Sequence, residues 1–449
     1  LKKLLAKLLF ITMGTALVGC GSSETSNNSV TITETGEVKY SGKLIIAPAG
    51  AGHNEALYEA AAELKTWEKY EDVEVEFLPV DDNNHEQGTS IQVMGGEQLD
   101  IIYNQSPMQQ ATFVDGNVTI PLEEYLEKYD IDLTEVYGDY AKYAYTNDIA
   151  YGIPAGATVW GLFYNKKIFD EAGVPYPDDT IPMTWEEYRE TAKKLTSGEG
   201  GDKVYGALHL TWPMYWYGEA IMKLGGGEHF YTADGKSNIK DPVFAQALEE
   251  TYNMMHVDKS IRTHSDVASS KIVSQAFFSG DYGMFLQGTW TFNWILDQET
   301  NPRDFEVGLA PMPVDAGENM KNWGVCGTFS MTQTTANKDL AFNYIIDIIR
   351  ETTKLTSSEI YADKTVPQDN IFTDIISEIT KTDPQITIEQ AKSVLLNPDM
   401  IFVTEKVTGP NALEYETIIK EETELYFVQA QDLATTLDNI EKRFNKISE

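Results

Sequence analysis

Between Lys43 and Ser106, short apolar segments alternate with helical ones, and this alternation restricts the chain to an α/β architecture. Lys43–Ala47 reads as a buried strand and Pro48–His53 as a Gly-rich turn. From Asn54, the residues Leu57, Ala60, Ala61, Leu64 and Trp67 recur at helical spacing. Val73–Leu78 alternates as a half-covered strand, and a polar loop with Asp81, Asp82, Asn83 and Asn84 follows. A weak helix through Ile91–Met94 leads to a strand at Leu99–Tyr103, and Asn104, Gln105 and Ser106 cap the next helix. Strands connected through helices predict a mostly parallel sheet with right-handed crossovers. Ligands of such sheets gather at the C-terminal ends of the strands, which makes Asn54, Asp82, Asn104 and Gln105 hydrogen-bonding candidates.

A second constraint is Tyr151–Asp170. A Gly- and Pro-punctuated start becomes the apolar run Val159–Tyr164, and Asn165 then caps a short helix ending near Gly173. Such a segment either carries the chain between two lobes or makes an ordinary connection within one domain. Beyond it, Thr184–Glu187 is a capping box for a helix reaching about Thr196. Val204–Leu208, Gly280–Leu286, Phe305–Ala310 and Trp323–Thr332 read as strands. Helices are expected over Pro242–Met255, Val267–Phe278, Lys338–Arg350, Phe372–Lys381, Ile388–Leu395 and Tyr415–Ile447, with a further one capped by Thr289.

The 449 residues are too many for one simple core and suit two sub-domains or more. The formal net charge of −36 repels phosphate backbones, so no nucleic-acid partner is expected. At the N-terminus, Lys2, Lys3 and Lys7 precede a short apolar core, Leu8–Val18, that is too short to span a membrane. Residues 1–19 therefore read as a signal peptide, with Leu1 taken as a start made as Met. Leu17-Val18-Gly19-Cys20 resembles a bacterial lipobox, in which the cysteine is diacylated; an ordinary signal peptide with a chance cysteine is the other reading. Residues 20–40 hold the lipidated Cys20 and a polar, flexible tether. With Cys20 modified, Cys326 is the remaining thiol and reads as a small core residue.

Four ordered segments resemble bacterial extracellular solute-binding proteins of family 1, the group containing the maltose-binding protein. They are Tyr151–Pro154 with Leu162–Pro175, Thr184–Thr196 with Val204–Gly206, Phe278–Trp290, and Val307–Pro313 followed by Trp323–Val325 and Asn337–Phe342. The resemblance implies a two-lobed periplasmic-binding-protein fold of type II-like form, with crossing strands between α/β lobes and a ligand cleft between them. It places lobe one at 41–156 and 324–353 and lobe two at 157–323 and 354–449. It further implies a monomer that captures a carbohydrate, an oligosaccharide, and delivers it to the transmembrane subunits of an ABC permease. The protein would be held at the extracellular face of the cell membrane by its lipid anchor. Two departures stand out: Cys326 interrupts the family's paired glycines, and Asn104-Gln105 replaces a Trp-containing segment, which argues against maltose itself.

A sugar offers an apolar C–H face and a rim of hydroxyls, so its site needs aromatic rings and short polar side chains. With 8 Trp and 24 Tyr the chain has the ring types in number. Trp290 matches the Gly-x-Trp whose ring stacks on sugar in the family. Trp160, Thr158 and Trp323 are expected to face the cleft, and Trp212 or Tyr215 to reach ligand from the 212–217 cluster. The six histidines form no His-Glu-x-x-His pair, there is no Gly-x-Ser-x-Gly elbow, and Gly50-Ala-Gly52 lacks the dinucleotide fingerprint, so no enzyme, metal or cofactor is expected. The alternatives are a sensor subunit, a non-sugar ligand such as a glycerol-phosphate ester, and, from paired carboxylates, a glycoside hydrolase.

Overall fold

The computed structural model describes residues 29–32, 38–48, 54–78, 85–355, 359–367, 371–397 and 399–448. The expected signal peptide, Cys20 and Asp82 lie outside them. The chain forms two compact units, one of Leu1–Tyr103, Val118–Ile120 and Ser330–Leu355, the other of Asn104–Asn117, Pro121–Phe329 and Thr356–Glu449. This division differs from the expected lobe ranges. Residues 104–117 and 121–156 were assigned to lobe one but pack within the second unit. The tie is Gln110, whose amide donates to Tyr143 O, Ala144 O and Thr146 Oγ1 while its carbonyl accepts from Thr328 Oγ1 at 2.6 Å.

In the first unit, β1 (Ser29–Ile32) precedes β2 (Val38–Ala47), and from β2 through β3 (Asp72–Phe77) to β4 (Ile101–Asn104) strands alternate with helices. β3 and β4 both run parallel to β2, as expected. β1 corrects the tether: Ser29–Ile32 pairs antiparallel with Val38–Ser41, so these residues of the 20–40 segment extend the sheet. The helix Asn54–Leu64 begins where predicted, and its Leu57, Ala60 and Leu64 are buried. The helix Lys338–Leu355 packs against it. Asp100 is fully buried and accepts from Ile45 N, Gln98 Nε2 and Ala336 N; burial raises its pKa despite the three donors.

In the second unit, helices lead to a hairpin of β5 (Tyr145–Thr146) and β6 (Ile149–Ala150), whose turn residues Asn147 and Asp148 both take positive φ. Its spine is β7 (Ile153–Asn165), which contains the predicted Val159–Tyr164 strand. β8 (Tyr205–Leu208), β9 (Tyr282–Gly288), β10 (Val307–Ala310), β11 (Lys321–Met331), β12 (Ile360–Tyr361) and β13 (Ile401–Thr404) complete it. The first half of β7 pairs antiparallel with β11 and β12, the second half with β9 and β10. Among the described strand pairs of this unit, β8–β9 and β11–β13 are parallel and the rest antiparallel, so the expectation of a mostly parallel sheet describes the first unit alone.

Local signals placed the helix ends well. Ser106 accepts from Gln109 N, Asn165 from Ile168 N, and Gly173 ends its helix in the left-handed region. Thr184 and Glu187 form the predicted capping box. Three helical expectations fail. Val267–Phe278 is a short helix, His264–Ser269, and a 3-10 turn, Ser274–Ser279, interrupted where Lys271 has positive φ. Tyr415–Ile447 is two helices, Ala412–Phe427 and Leu433–Ile447, separated by the positive φ of Gln429 and restarted by the Asp432 cap. The N-cap position is Trp290 and not Thr289: Trp290 precedes the helix Thr291–Leu296, and its side chain makes no capping hydrogen bond. Cys326 is buried in β11, where burial pushes its thiol pKa up. Among the described residues no helix is long and apolar enough to cross a membrane, and no group of three metal-ligating side chains occurs.

Candidate functional site

Strand register builds an aromatic cluster in the second unit. Trp160 of β7 lies opposite Gly288 of β9, and β11 brings Trp323 alongside. Four rings meet the Trp160 indole edge to face: Trp323 at 5.6 Å, Trp290 at 5.7 Å, Tyr215 at 6.0 Å and Trp212 at 6.5 Å between centroids. Edge-to-face contact sets the positive ring edge against a negative ring face, so the arrangement is directional as well as apolar. Trp323 also stacks on Trp185 from the capping-box helix, at 6.1 Å and 20°.

Two glycines make room for these rings. A Cβ on Gly288 would come within 2.1 Å of the Trp290 ring, and one on Gly218 within 2.2 Å of Trp323. The first glycine of Gly288-Thr289-Trp290 thus has a steric reason: the indole two residues on lies across its backbone.

Trp160 is fixed at both ends. Asn322 Oδ1 accepts from its backbone N–H at 2.9 Å, and Asn322 Nδ2 donates to its carbonyl at 2.6 Å. The indole Nε1–H donates to Glu405 Oε2 at 2.7 Å. Glu405 follows β13, is 4% exposed, and burial raises its carboxyl pKa against the opposing pull of Lys406, 3.7 Å away. His209 borders the cluster, 5.1 Å from the Tyr215 ring and stacked on Tyr188, whose hydroxyl meets its Nε2 at 3.1 Å. Burial pulls its pKa down to about 3, so the imidazole is neutral at physiological pH.

The structure thus brings together five of the sequence-predicted residues: Trp160, Trp212, Tyr215, Trp290 and Trp323. They are not equivalent. Trp160 and Trp323, both expected at the ligand, are enclosed at 0% and 1% exposure, because β7 is paired along both edges and covered on both faces from Val159 to Asn165. Trp212 is 38% exposed, and Tyr215 and Trp290 are half-buried, so these three offer outer surface. The remaining candidates lie elsewhere. Asn104 is buried and donates to Thr328 Oγ1 at 3.1 Å, both residues lying in the second unit. Gln105 is exposed, and its backbone N–H donates to Gln109 Oε1. Thr158 is half-buried on β7 and Asn54 opens the first helix. Sequence reasoning missed Glu405, Asn322 and His209. Glu405 is 245 residues from Trp160 along the chain, and nothing local marks it as an indole partner.

Against this geometry, residues 50–345 match the family of bacterial extracellular solute-binding proteins. The match covers well over half of the chain, and the protein belongs to that family. Among relatives, it is 23% identical over 227 residues to the lactose-binding protein of Rhizobium radiobacter, covering 49% of this chain and 48% of the relative. It is 24% identical over 199 residues to an arabinooligosaccharide-binding protein of Halalkalibacterium halodurans, covering 43% and 42%. The chain therefore spans about half the length of the curated relatives it matches. An ABC substrate-binding protein of Listeria monocytogenes, solved with cycloalternan, superposes with a TM-score of 0.74 at 20% identity over 90% of this chain and 98% of that one. The maltose-bound MalE3 of T. maritima gives 0.66 at 16% identity over 90% and 99%. The fold is that of the two-lobed α/β solute-binding proteins.

Proposed function

We propose that this protein is the substrate-capturing component of an ABC importer, and that it holds a carbohydrate, an oligosaccharide, for delivery to the transmembrane permease subunits. The observation that carries the reading is the convergence of Trp212, Tyr215 and Trp290 on one indole hub, with part of each ring's surface left open. Flat apolar faces set at fixed angles suit the C–H faces of sugar rings and supply affinity by desolvation and packing. Relatives named for lactose and arabinooligosaccharide, and structures solved with cycloalternan and maltose, support the same ligand class. The role is binding without turnover, by a monomer. A thermal-shift screen with mono- and oligosaccharides tests it, because a ligand that binds only the folded form raises Tm. Trp290→Ala is expected to weaken the binding found by roughly 1–3 kcal/mol, the usual scale for a stacked aromatic anchor. Unchanged calorimetric affinity would remove Trp290 from the site.

We place the protein at the extracellular face of the cell membrane, anchored through diacylated Cys20. The support is the position of Cys20 directly after the Leu8–Val18 apolar core and Gly19. In the producing cell, Cys20→Ala is expected to move the protein from the membrane fraction to the soluble one; retention in the membrane would refute the anchor.

A further inference from the structure

The second unit buries several indoles, and it treats their N–H groups differently. Among the described residues, the Nε1 atoms of Trp185, Trp216 and Trp323 are buried and find no hydrogen-bond partner. Trp160 instead receives a carboxylate, Glu405 Oε2 at 2.7 Å, although a carboxylate is far more costly to enclose than a neutral acceptor. Satisfying one donor does not require a charge, given that the unit tolerates three unsatisfied ones. What a charge-assisted hydrogen bond adds is strength and a defined direction.

That direction matters because of what Trp160 touches. Asn322 clamps its backbone N–H and carbonyl, which leaves the side-chain torsions as its remaining freedom. Glu405 fixes those torsions by holding the indole at Nε1, and Glu405 N donates to Gly324 O at 3.0 Å, which ties the acid to β11. The edge-to-face angles of Trp212, Tyr215 and Trp290 against Trp160, 78°, 73° and 83°, then follow from the plane of one buried ring. We infer that Glu405 is a positioning residue for ligand binding: through its hydrogen bond to the Trp160 indole it sets the orientation of the three partly open rings. This rests on the reading of those rings as the ligand platform. Glu405 itself is enclosed and acts only through Trp160.

Three variants of the full chain test it: Glu405→Leu, which removes the acceptor; Glu405→Asp, which keeps the charge but withdraws it by one methylene; and Glu405→Gln, which keeps an acceptor oxygen in place. Near-ultraviolet circular dichroism of ligand-free protein reads the packing of the coupled indoles. Calorimetric titration with maltotriose, mannotriose and lactose reads binding. The expected pattern is a diminished near-ultraviolet band and roughly tenfold weaker binding in the Leu and Asp variants, with Gln, which keeps the acceptor but not the charge, losing less than either in both. If Glu405→Leu does not fold, the contrast between Asp and Gln decides alone. A wild-type spectrum and affinity in Glu405→Asp would overturn the inference, as would Leu and Asp variants that lose only Tm while their folded fraction binds as wild type. Failure of the wild-type protein to bind any of these sugars counts against the ligand reading, and the spectra still decide whether Glu405 orients the rings.

Discussion

Trp160→Ala is expected to lower the stability of the second unit by about 3–5 kcal/mol, the range for truncating a buried Trp in a packed core. The indole is fully enclosed, and four rings rest their edges or faces on it. Removing it leaves a cavity that backbone movement cannot readily close, because Asn322 holds both the N–H and the carbonyl of residue 160. It also deprives the enclosed Glu405 carboxyl of its indole donor, which adds a desolvation cost to the lost packing. Urea unfolding of wild type and variant, followed by far-ultraviolet circular dichroism, measures the difference. A loss below about 1 kcal/mol would show that the ring is not packed as described. Binding is expected to fall as well, since Trp290, Trp212 and Tyr215 lose the surface that orients them.

A comparable effect is expected from Asp383→Ala, far from the aromatic cluster in sequence. Arg303 and Asp383 form an ion pair at 2.5 Å with side chains 2% and 0% exposed. Asp383 also accepts from Val307 N at 2.7 Å and Thr382 Oγ1 at 2.8 Å, and Arg303 donates to Ile295 O at 2.8 Å. The pair thus joins the segment leading into β10 to the turn after the helix Thr373–Ile379. Truncating the acid strands a guanidinium enclosed away from water, and breaking such a pair costs about 3–5 kcal/mol. The double variant Arg303→Met with Asp383→Leu should recover much of that, because it removes both charges together. Denaturant midpoints for the two variants decide the matter: equal destabilisation of single and double variants would mean that the cost lies in lost packing and not in the stranded charge.

The parts of this molecule that were legible in the sequence share one property: their cause is local. Asn165 caps its helix and Thr184 forms a capping box with Glu187, because donor and acceptor are three residues apart. The strands of the first unit were readable from apolar runs and alternation, and the aromatic candidates from ring type and neighbouring glycines. The misreadings have local causes too. Gln429 and Lys271 take positive φ without being glycine, so nothing flagged the helix breaks they make. The polar Ser29–Ile32 has the alternation of a short strand, but it becomes one only because Val38–Ser41 is there to pair with it.

The sequence by itself determined the α/β class, the family, the helix caps at Ser106, Asn165 and Thr184, and the set of rings from which a sugar site would be drawn. Tertiary structure decided which of those rings are enclosed and which are open. It alone supplied Asn322 and Glu405, 162 and 245 residues along the chain from Trp160. The physical reason is that burial and side-chain orientation are set by contacts between segments distant in sequence. A tryptophan looks the same in a sequence whether strands close over it, as they do over Trp160, or leave its face to solvent, as they do for Trp212.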